Sequence, residues 1–315
     1  MSDSAFLTRR RMLAASAAGA VAATGVPAVA SAAVHAEPSL SPETDVTLRW
    51  LGNNSWEITG AGKTILIDPW LTRFWTGTYT PEGASPDIEI ESDPRLIDPY
   101  IGTADHILVT HGHYDHLTDV PYIADKTGAM VIGSESHLNM IKALGARTDK
   151  LSLVRGGEAF QHEGYTIEVF RSSHSAGGGK LPFPGTRPGK PPKRPKTIAD
   201  LVEGDSLAYL ITIGGVRIMN FGSSNYIARE IEGLRPDVIL IQPGGTSTPS
   251  YVPRLFKALG EPRYVIPTHW DDFDEPLTEE AVDWGGLAAL QEAVAQASPR
   301  SEWVKIDHLE RFTVR

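Results

Sequence analysis

A cluster of histidines near the middle of the chain constrains the fold more than any other feature. Residues 110–117 read THGHYDHL and follow an apolar run at 107–109, so three imidazoles and a carboxylate fall within six positions. Ten histidines among 315 residues make such a cluster improbable in an ordinary polar loop, which is the alternative interpretation. Neutral imidazole and carboxylate are nitrogen and oxygen ligands that zinc accepts. The run therefore predicts a metal site.

The spacing within this run predicts two neighbouring metal positions. His111 and His113 are two residues apart and point to the same side of an extended segment, whereas the adjacent Asp115 and His116 diverge. One tight loop can therefore serve two ions.

The run matches in full a His-x-His-x-Asp-His signature, and through it the chain resembles the metallo-β-lactamase fold hydrolases. Residues 46–56 and 63–71 are similar to the opening hairpin of the branch that holds the sugar-phosphate lactonases and the N-acyl-phosphatidylethanolamine phospholipase D enzymes. The His-Tyr-Asp-His-Leu form of the signature is similar to that branch as well. The resemblance covers residues 44–315, with a poor match across 175–205. It implies a four-layer αββα sandwich.

The pattern of apolar residues predicts an α/β or α+β chain by itself, without the layering. Strands are expected at 46–50, 55–58, 63–67, 106–110, 129–132, 165–170, 207–213, 216–221, 238–241, 264–266, 303–306 and 312–314. Helices are expected at 134–144, 250–259 and 286–297. Gly214-Gly215 accepts the positive φ angles of a tight hairpin turn.

Two further histidines stand at predicted strand ends, where loops commonly carry function. The resemblance implies that His174 joins His111 and His113 around one metal, and that His269 joins Asp115 and His116 around the other. A lone histidine at a strand end is more often an ordinary hydrogen-bonded group, but the ordered set favours ligands. Asp68 resembles a carboxylate that accepts the free N–H of a ligand histidine and fixes its tautomer, with a turn-capping role as the alternative.

One position departs from the family pattern. The resemblance places a metal-bridging aspartate where this chain has Ser223, and a neutral hydroxyl neither offsets the charge of two dications nor binds them as a carboxylate does. We therefore expect one tightly bound zinc and a second that is weaker or absent, with another divalent ion as an alternative. Zinc would supply a bound hydroxide as nucleophile, and Asp115, the candidate catalytic residue, would orient it and carry the proton to the leaving group.

Two segments are candidates for substrate contact. Aromatic and apolar side chains after the first hairpin either form a wall beside the metal or cover the sheet; they are Trp70, Leu71, Phe74, Trp75 and Tyr79. A basic, proline-rich insertion at 180–196 either grips a phosphate or carboxylate, touches an anionic lipid surface, or is an exposed polyproline-like loop.

The first residues are typical of an export signal. Arg9, Arg10 and Arg11 precede an uncharged, alanine-rich run that ends at a small-residue cleavage site, which resembles a Tat signal peptide over 1–32. A flexible mature N-terminus (33–43) and one hydrolase domain (44–315) follow. Removing residues 1–32 changes the charge from 29 minus 39, or -10, to 26 minus 38, or -12. This acidic balance argues against nucleic acid as a partner. The absence of cysteine excludes disulfides and thiolate ligands.

The sequence thus predicts an exported, periplasmic or extracellular, metal-dependent hydrolase without a stable membrane span after processing. Its expected substrate is a small molecule or lipid-like compound, a phosphodiester or phospholipid-like ester. A lactonase of the same fold is the first alternative. A non-catalytic metal-binding or ligand-binding protein with a degenerate second site is the alternative of another class. No pattern predicts an oligomeric state.

Overall fold

Two sheets form the centre of the computed structural model, which describes residues 45–176, 180–244, 248–284 and 286–315. The predicted signal peptide (1–32) and the predicted flexible segment (33–43) lie outside these residues. No helix among the described residues is long and apolar enough to cross a membrane.

The first sheet has seven strands, in the order β14-β1-β2-β3-β4-β5-β6. They are β1 (Val46–Trp50), β2 (Trp56–Gly60), β3 (Lys63–Ile67), β4 (His106–Leu108), β5 (Met130–Gly133), β6 (Leu151–Leu153) and β14 (Arg311–Val314). The strands from β14 to β3 pair antiparallel, and those from β3 to β6 pair parallel. Helical crossovers separate the parallel strands, as parallel pairing requires.

The second sheet repeats this plan in the order β13-β12-β11-β10-β9-β8-β7. Its strands are β7 (Ala159–His162), β8 (Tyr165–Arg171), β9 (Leu207–Ile213), β10 (Val216–Asn220), β11 (Val238–Ile241), β12 (Tyr264–Pro267) and β13 (Glu302–Trp303). The strands from β7 to β10 pair antiparallel, and those from β10 to β13 pair parallel. Gly214 and Gly215 have φ angles of 54° and 83° and form the predicted β9–β10 turn.

Seven helices cover the outer faces of the two sheets in the described chain. They are α1 (Pro94–Ile97), α2 (Tyr114–Leu117), α3 (Val120–Thr127), α4 (Glu135–Leu144), α5 (Ala228–Ile231), α6 (Tyr251–Leu259) and α7 (Leu287–Ala297). One apolar core combines residues of both sheets, such as Trp56 and Ile211, and therefore lies between them. A second core joins the first sheet to α2, α3 and α4, and a third joins the second sheet to α5, α6 and α7. This is the four-layer αββα sandwich that was expected.

Two local departures from the predicted elements affect the site. Strand β4 ends at Leu108 and not at residue 110, because the Thr110 carbonyl turns to accept from the Leu207 N–H of the second sheet. His113 keeps extended backbone, but Asp115 and His116 lie on the single helical turn α2. The strand predicted at 303–306 is also shorter than expected, since pairing covers only Glu302–Trp303.

Candidate metal centre

The side chains predicted as metal ligands lie together where strands of both sheets end. They are His111, His113, Asp115, His116, His174 and His269. The first two follow β4, the next two lie in α2, and the last two follow β8 and β12. Topology therefore brings residues more than 150 positions apart in the sequence to one edge of the sandwich.

The six side chains form two groups, and within each group the potential ligand atoms all lie within 4.8 Å of one another. The first group consists of His111, His113 and His174. The second group consists of Asp115, His116 and His269. In the second group, Asp115 Oδ2 lies 3.2 Å from Nε2 of both histidines. These are the two sets that the resemblance implied, and both donor sets suit a divalent ion.

Each imidazole of the first group has one ring nitrogen bound to an oxygen of the protein. The pairs are His111 Nδ1 with Thr110 Oγ1 at 3.2 Å, His113 Nε2 with the Pro182 carbonyl at 3.0 Å, and His174 Nδ1 with the Ser175 carbonyl at 2.6 Å. A carbonyl only accepts, so it fixes the N–H on the ring nitrogen it contacts and leaves the lone pair on the other. The carbonyls therefore orient His113 and His174 as ligands, and the Thr110 hydroxyl, which donates to Asp68 Oδ2, can accept from His111 Nδ1.

Electrostatics keeps these three imidazoles neutral. Burial lowers the pKa of His113 to about 3 and that of His174 to about 4. Burial, together with the neighbouring histidines, holds the pKa of His111 well below its usual value. Neutral imidazole is the form that binds a metal ion.

In the second group, His116 lies between two carboxylates, those of Asp68 and Asp115. Asp68 is fully buried, and its Oδ2 lies 2.7 Å from His116 Nδ1, while Oδ1 accepts from the Thr110 N–H at 2.7 Å. Asn54 also donates to Asp68, at 2.7 Å. These contacts are those expected of a carboxylate that orients a ligand histidine, which is the role predicted for Asp68. Burial opposes charge on His116, but Asp115 and Asp68 outweigh it and raise its pKa to about 10.

Ser223 lies in the same cavity as both groups. It follows Gly222, which has a φ of 68° and no room for a Cβ, because that atom would lie 2.1 Å from Thr110 Oγ1. The Ser223 hydroxyl accepts from the Ser175 N–H at 3.0 Å and lies 3.1 Å from Ser175 Oγ. The position expected for a bridging carboxylate therefore carries a hydroxyl that is bonded to the loop behind His174.

A cavity of about 940 Å³ opens above the two groups. Its aromatic lining residues are Tyr79, Tyr114, Phe183, Phe273 and Trp284. Tyr79 stacks on Trp284 at 5.5 Å and meets Phe273 edge-on at 4.9 Å. Lys180 is the only lysine or arginine among the described lining residues. The cavity thus combines an apolar wall with a single lysine.

Of the side chains proposed for the wall after the first hairpin, only Tyr79 lines the cavity. Trp70 and Leu71 are buried in the core beneath it, where they cover the sheet, Phe74 packs against the same core, and Trp75 is 65% exposed. The basic insertion contributes more, since residues 180–183 line the cavity. Its later part is mostly exposed and contacts α4, where the Arg187 N–H donates to Ser136 Oγ.

Several residues that hold the ligands carried no recognisable signal in the sequence. The Pro182 contact to His113 uses a backbone carbonyl, which any residue has. Asn53 and Asn54 lie in a short connection between β1 and β2 and read as turn residues, yet both are fully buried and donate to Asp115 and Asp68, respectively.

Comparison with known proteins agrees with this architecture. The beta-lactamase superfamily domain matches residues 47–269. A UPF0173 metal-dependent hydrolase of Cupriavidus taiwanensis is 32% identical over 266 residues, covering 80% of this chain and 83% of that protein. Isothiocyanate hydrolase from Delia radicum gut bacteria has a TM-score of 0.56 at 16% identity, covering 85% of this chain and 100% of that one. Igni18, a metallo hydrolase from Ignicoccus hospitalis, has a TM-score of 0.55 at 16% identity, covering 86% and 99%.

The two structural matches show the fold, and the sequence matches show the family. The domain match covers all strands of both sheets except β13 and β14, and it ends on His269, the last of the six clustered side chains. The chain belongs to the metallo-β-lactamase superfamily and is a metal-dependent hydrolase.

Proposed function

We propose that this hydrolase cleaves phosphodiesters that carry an apolar substituent, phospholipid-like esters among them. The observation that carries the proposal is the cavity, which sets both ligand groups beside an aromatic wall and a lysine, Lys180. An apolar substituent would pack against Tyr79, Phe273 and Trp284. The Lys180 ammonium would pair with a non-bridging phosphate oxygen.

We propose zinc as the metal. The donor sets contain five imidazoles and one carboxylate, a composition that suits zinc. When bound, the ion lowers the pKa of a coordinated water and stabilises negative charge that develops on the substrate. The first group would hold one ion tightly. The second group would hold another more weakly, because Ser223 offers no negative charge to offset it.

The residues of the chain have separate tasks in this scheme. Asp115 lies in the cavity lining, where its carboxylate can accept a proton from the attacking water and return it to the leaving oxygen. The aromatic wall excludes bulk water from the reacting atoms. The serine at position 223 leaves the site one negative charge short of an aspartate, which favours an anionic substrate over a neutral one.

The same apolar wall also fits an acyl lactone, so a lactonase is the second candidate. Lys180 distinguishes the two, because its ammonium pairs with the standing charge of a phosphodiester, whereas a lactone is neutral until charge develops in the transition state. Zinc-loaded protein and the Lys180→Ala variant should be compared on bis(p-nitrophenyl) phosphate and on an acyl lactone. A loss of kcat/KM confined to the phosphodiester supports the proposal. Turnover of the lactone alone would make the protein a lactonase, and no turnover of any ester would favour a non-catalytic binding protein.

We further propose that the protein is exported by a Tat-type route and acts in the periplasm or outside the cell. The support is the Arg9-Arg10 pair ahead of the alanine-rich run. Replacement of both arginines by lysine should retain the protein in the cytoplasm, because the receptor reads the arginine pair and not its charge. Unimpaired export of this variant, measured by fractionation, would contradict the proposal.

A further inference from the structure

Asn53 is a fully buried residue that contacts two members of the second group. It lies between β1 and β2 with a φ of 48°, in the left-handed region that asparagine tolerates better than most residues. Its neighbours Leu51 and Ser55 close the connection by a backbone hydrogen bond of 2.9 Å. The chain is therefore fixed on both sides of Asn53.

The side chain of Asn53 holds Asp115. Asn53 Nδ2 lies 2.6 Å from the Asp115 carbonyl and 3.3 Å from Asp115 Oδ2. Both partners only accept hydrogen bonds at neutral pH, so the amide must present its NH2 to them. The same Oδ2 atom lies 3.2 Å from the Nε2 atoms of His116 and His269, which means that Asn53 fixes the oxygen at the centre of the second group.

The backbone of Asn53 holds His269. The Asn53 carbonyl accepts from the His269 N–H at 2.9 Å and also from Thr268 Oγ1 at 2.9 Å. His269 has a φ of 54°, an uncommon backbone conformation for a histidine that needs contacts to maintain it. Asn53 thus positions the Asp115 carboxylate through its side chain and His269 through its backbone carbonyl.

A buried ionic cluster anchors Asn53 in turn. Its N–H donates to Asp271 Oδ1 at 2.9 Å, and Asp271 Oδ2 lies 2.7 Å from Arg73 and 2.9 Å from His308 Nε2. The side chains of this cluster are 0 to 2% exposed. A paired and fully bonded buried charge cannot shift without losing its partners, so the anchor is rigid.

A contribution to folding stability does not explain why an asparagine occupies position 53. Its Oδ1 is buried and has no hydrogen-bond partner among the described residues. A buried acceptor without a partner destabilises the folded state, and such an atom calls for an explanation other than packing. The contact of its NH2 with Asp115 supplies one.

We propose that Asn53 is a positioning residue that sets the orientation of Asp115 and His269, and thereby the affinity of the second group for its ion. This inference rests on the proposed function, which assigns the second group to a metal. Asn53 touches neither the ion nor the substrate in this account. It acts through the two side chains that do.

The test compares Asn53→Gly with a matched control, Ala61→Gly. Glycine adopts a positive φ without strain, so Asn53→Gly removes only the side chain and keeps both backbone contacts. Ala61 has the same φ of 48° and lies in the β2–β3 turn, away from the site. Apo full-length protein should be titrated with zinc against a chromophoric chelator, and the thermal midpoint of each variant should be measured.

We expect Asn53→Gly to weaken the second class of zinc site by about 10- to 100-fold, as is typical when a group that orients a ligand is lost. The first class and the thermal midpoint should match those of the Ala61→Gly variant. The inference alone would be overturned if the zinc affinities of both classes were unchanged. It would also be overturned if both affinities weakened together and the thermal midpoint fell. A single class of site in the parent protein would overturn it as well, while leaving a one-metal hydrolase intact. No zinc binding by the parent would overturn both the inference and the proposed function.

Discussion

The two ligand groups are built from the same fold but are held in different ways. The first group is three neutral imidazoles, of which two bind backbone carbonyls and one binds a hydroxyl. The second is a buried carboxylate between two imidazoles, and Asp68 and Asn53 hold it from outside. The first group therefore depends on neutral acceptors, two of them backbone carbonyls, whereas the second depends on charge balance and on buried polar side chains.

This difference predicts different affinities. Three neutral ligands can receive a dication with little rearrangement, since burial already keeps them deprotonated. In the second group, the raised pKa of His116 means that an ion must displace a proton stabilised by Asp115 and Asp68. Position 223 adds no further negative charge. The first group should be the tight site and the second the weak one.

The largest expected effect comes from breaking the first group. His174→Ala removes one of three ligands, so the tight zinc equivalent should be lost and hydrolysis with it. His162→Ala is a suitable control, because His162 is exposed and stacks on Tyr165 away from the cavity. Equilibrium dialysis followed by elemental analysis measures the retained zinc. Retention of a full tight equivalent by His174→Ala would show that the tight site lies elsewhere.

Removing the charge of the second group's carboxylate should separate catalysis from binding of the tight metal ion. Asp115→Asn should lower kcat by about 10² to 10⁴, the usual contribution of a positioned acid or base. The tight equivalent should remain, because the first group does not include Asp115. Steady-state kinetics and zinc analysis of the same preparation test both halves. Equal turnover in variant and parent would remove Asp115 from the mechanism.

A smaller effect is expected from the carboxylate behind His116. Asp68→Asn keeps the shape but removes the charge that Oδ2 presents to His116 Nδ1, so the second class of zinc site should weaken by about 10- to 100-fold. The first class should be affected less. Thr72→Asn serves as a polar control, since Thr72 is buried and its hydrogen bonds join it to Asp119 and to the Asp93 N–H, which belong to neither group. Equal weakening of both classes would contradict the separation of the two groups.

The smallest effect is expected from adding a negative charge beside the second group. Ser223→Asp should add a negative oxygen ligand and bring the second group closer to the first in affinity, so that a second zinc survives dialysis. Because Ser223 lies in the cavity lining, the thermal midpoint should change little. An unfolded variant, or unchanged stoichiometry, would mean that Ser223 does not occupy the position of the bridging carboxylate.

The sequence was informative where chemistry is local. The motif at 110–117 and the strand ends before His174 and His269 marked the ligands, because apolar runs and histidines are visible without a structure. The four-residue helix α2 was not predicted, since a single turn is too short to show helical periodicity.

Long-range support of the ligands could not be predicted in the same way. Asn53 reaches Asp115 and Asp271 across 62 and 218 positions, partly through backbone atoms that carry no residue signature. The wall of the cavity likewise combines Tyr79 with Phe273 and Trp284, which only the folded topology brings together. Within the aromatic segment at 70–79, the sequence alone did not show which side chains cover the sheet and which one lines the cavity.

We expect two unequal metal positions to lie side by side in this cavity. Zinc titration of the apo protein against a chromophoric chelator tests it most directly. The account predicts one equivalent bound tightly and a second bound more weakly, with the weaker class lost in Asp115→Asn and the tight class retained. No specific zinc binding, or two equivalents of equal affinity that respond equally to this substitution, would contradict it.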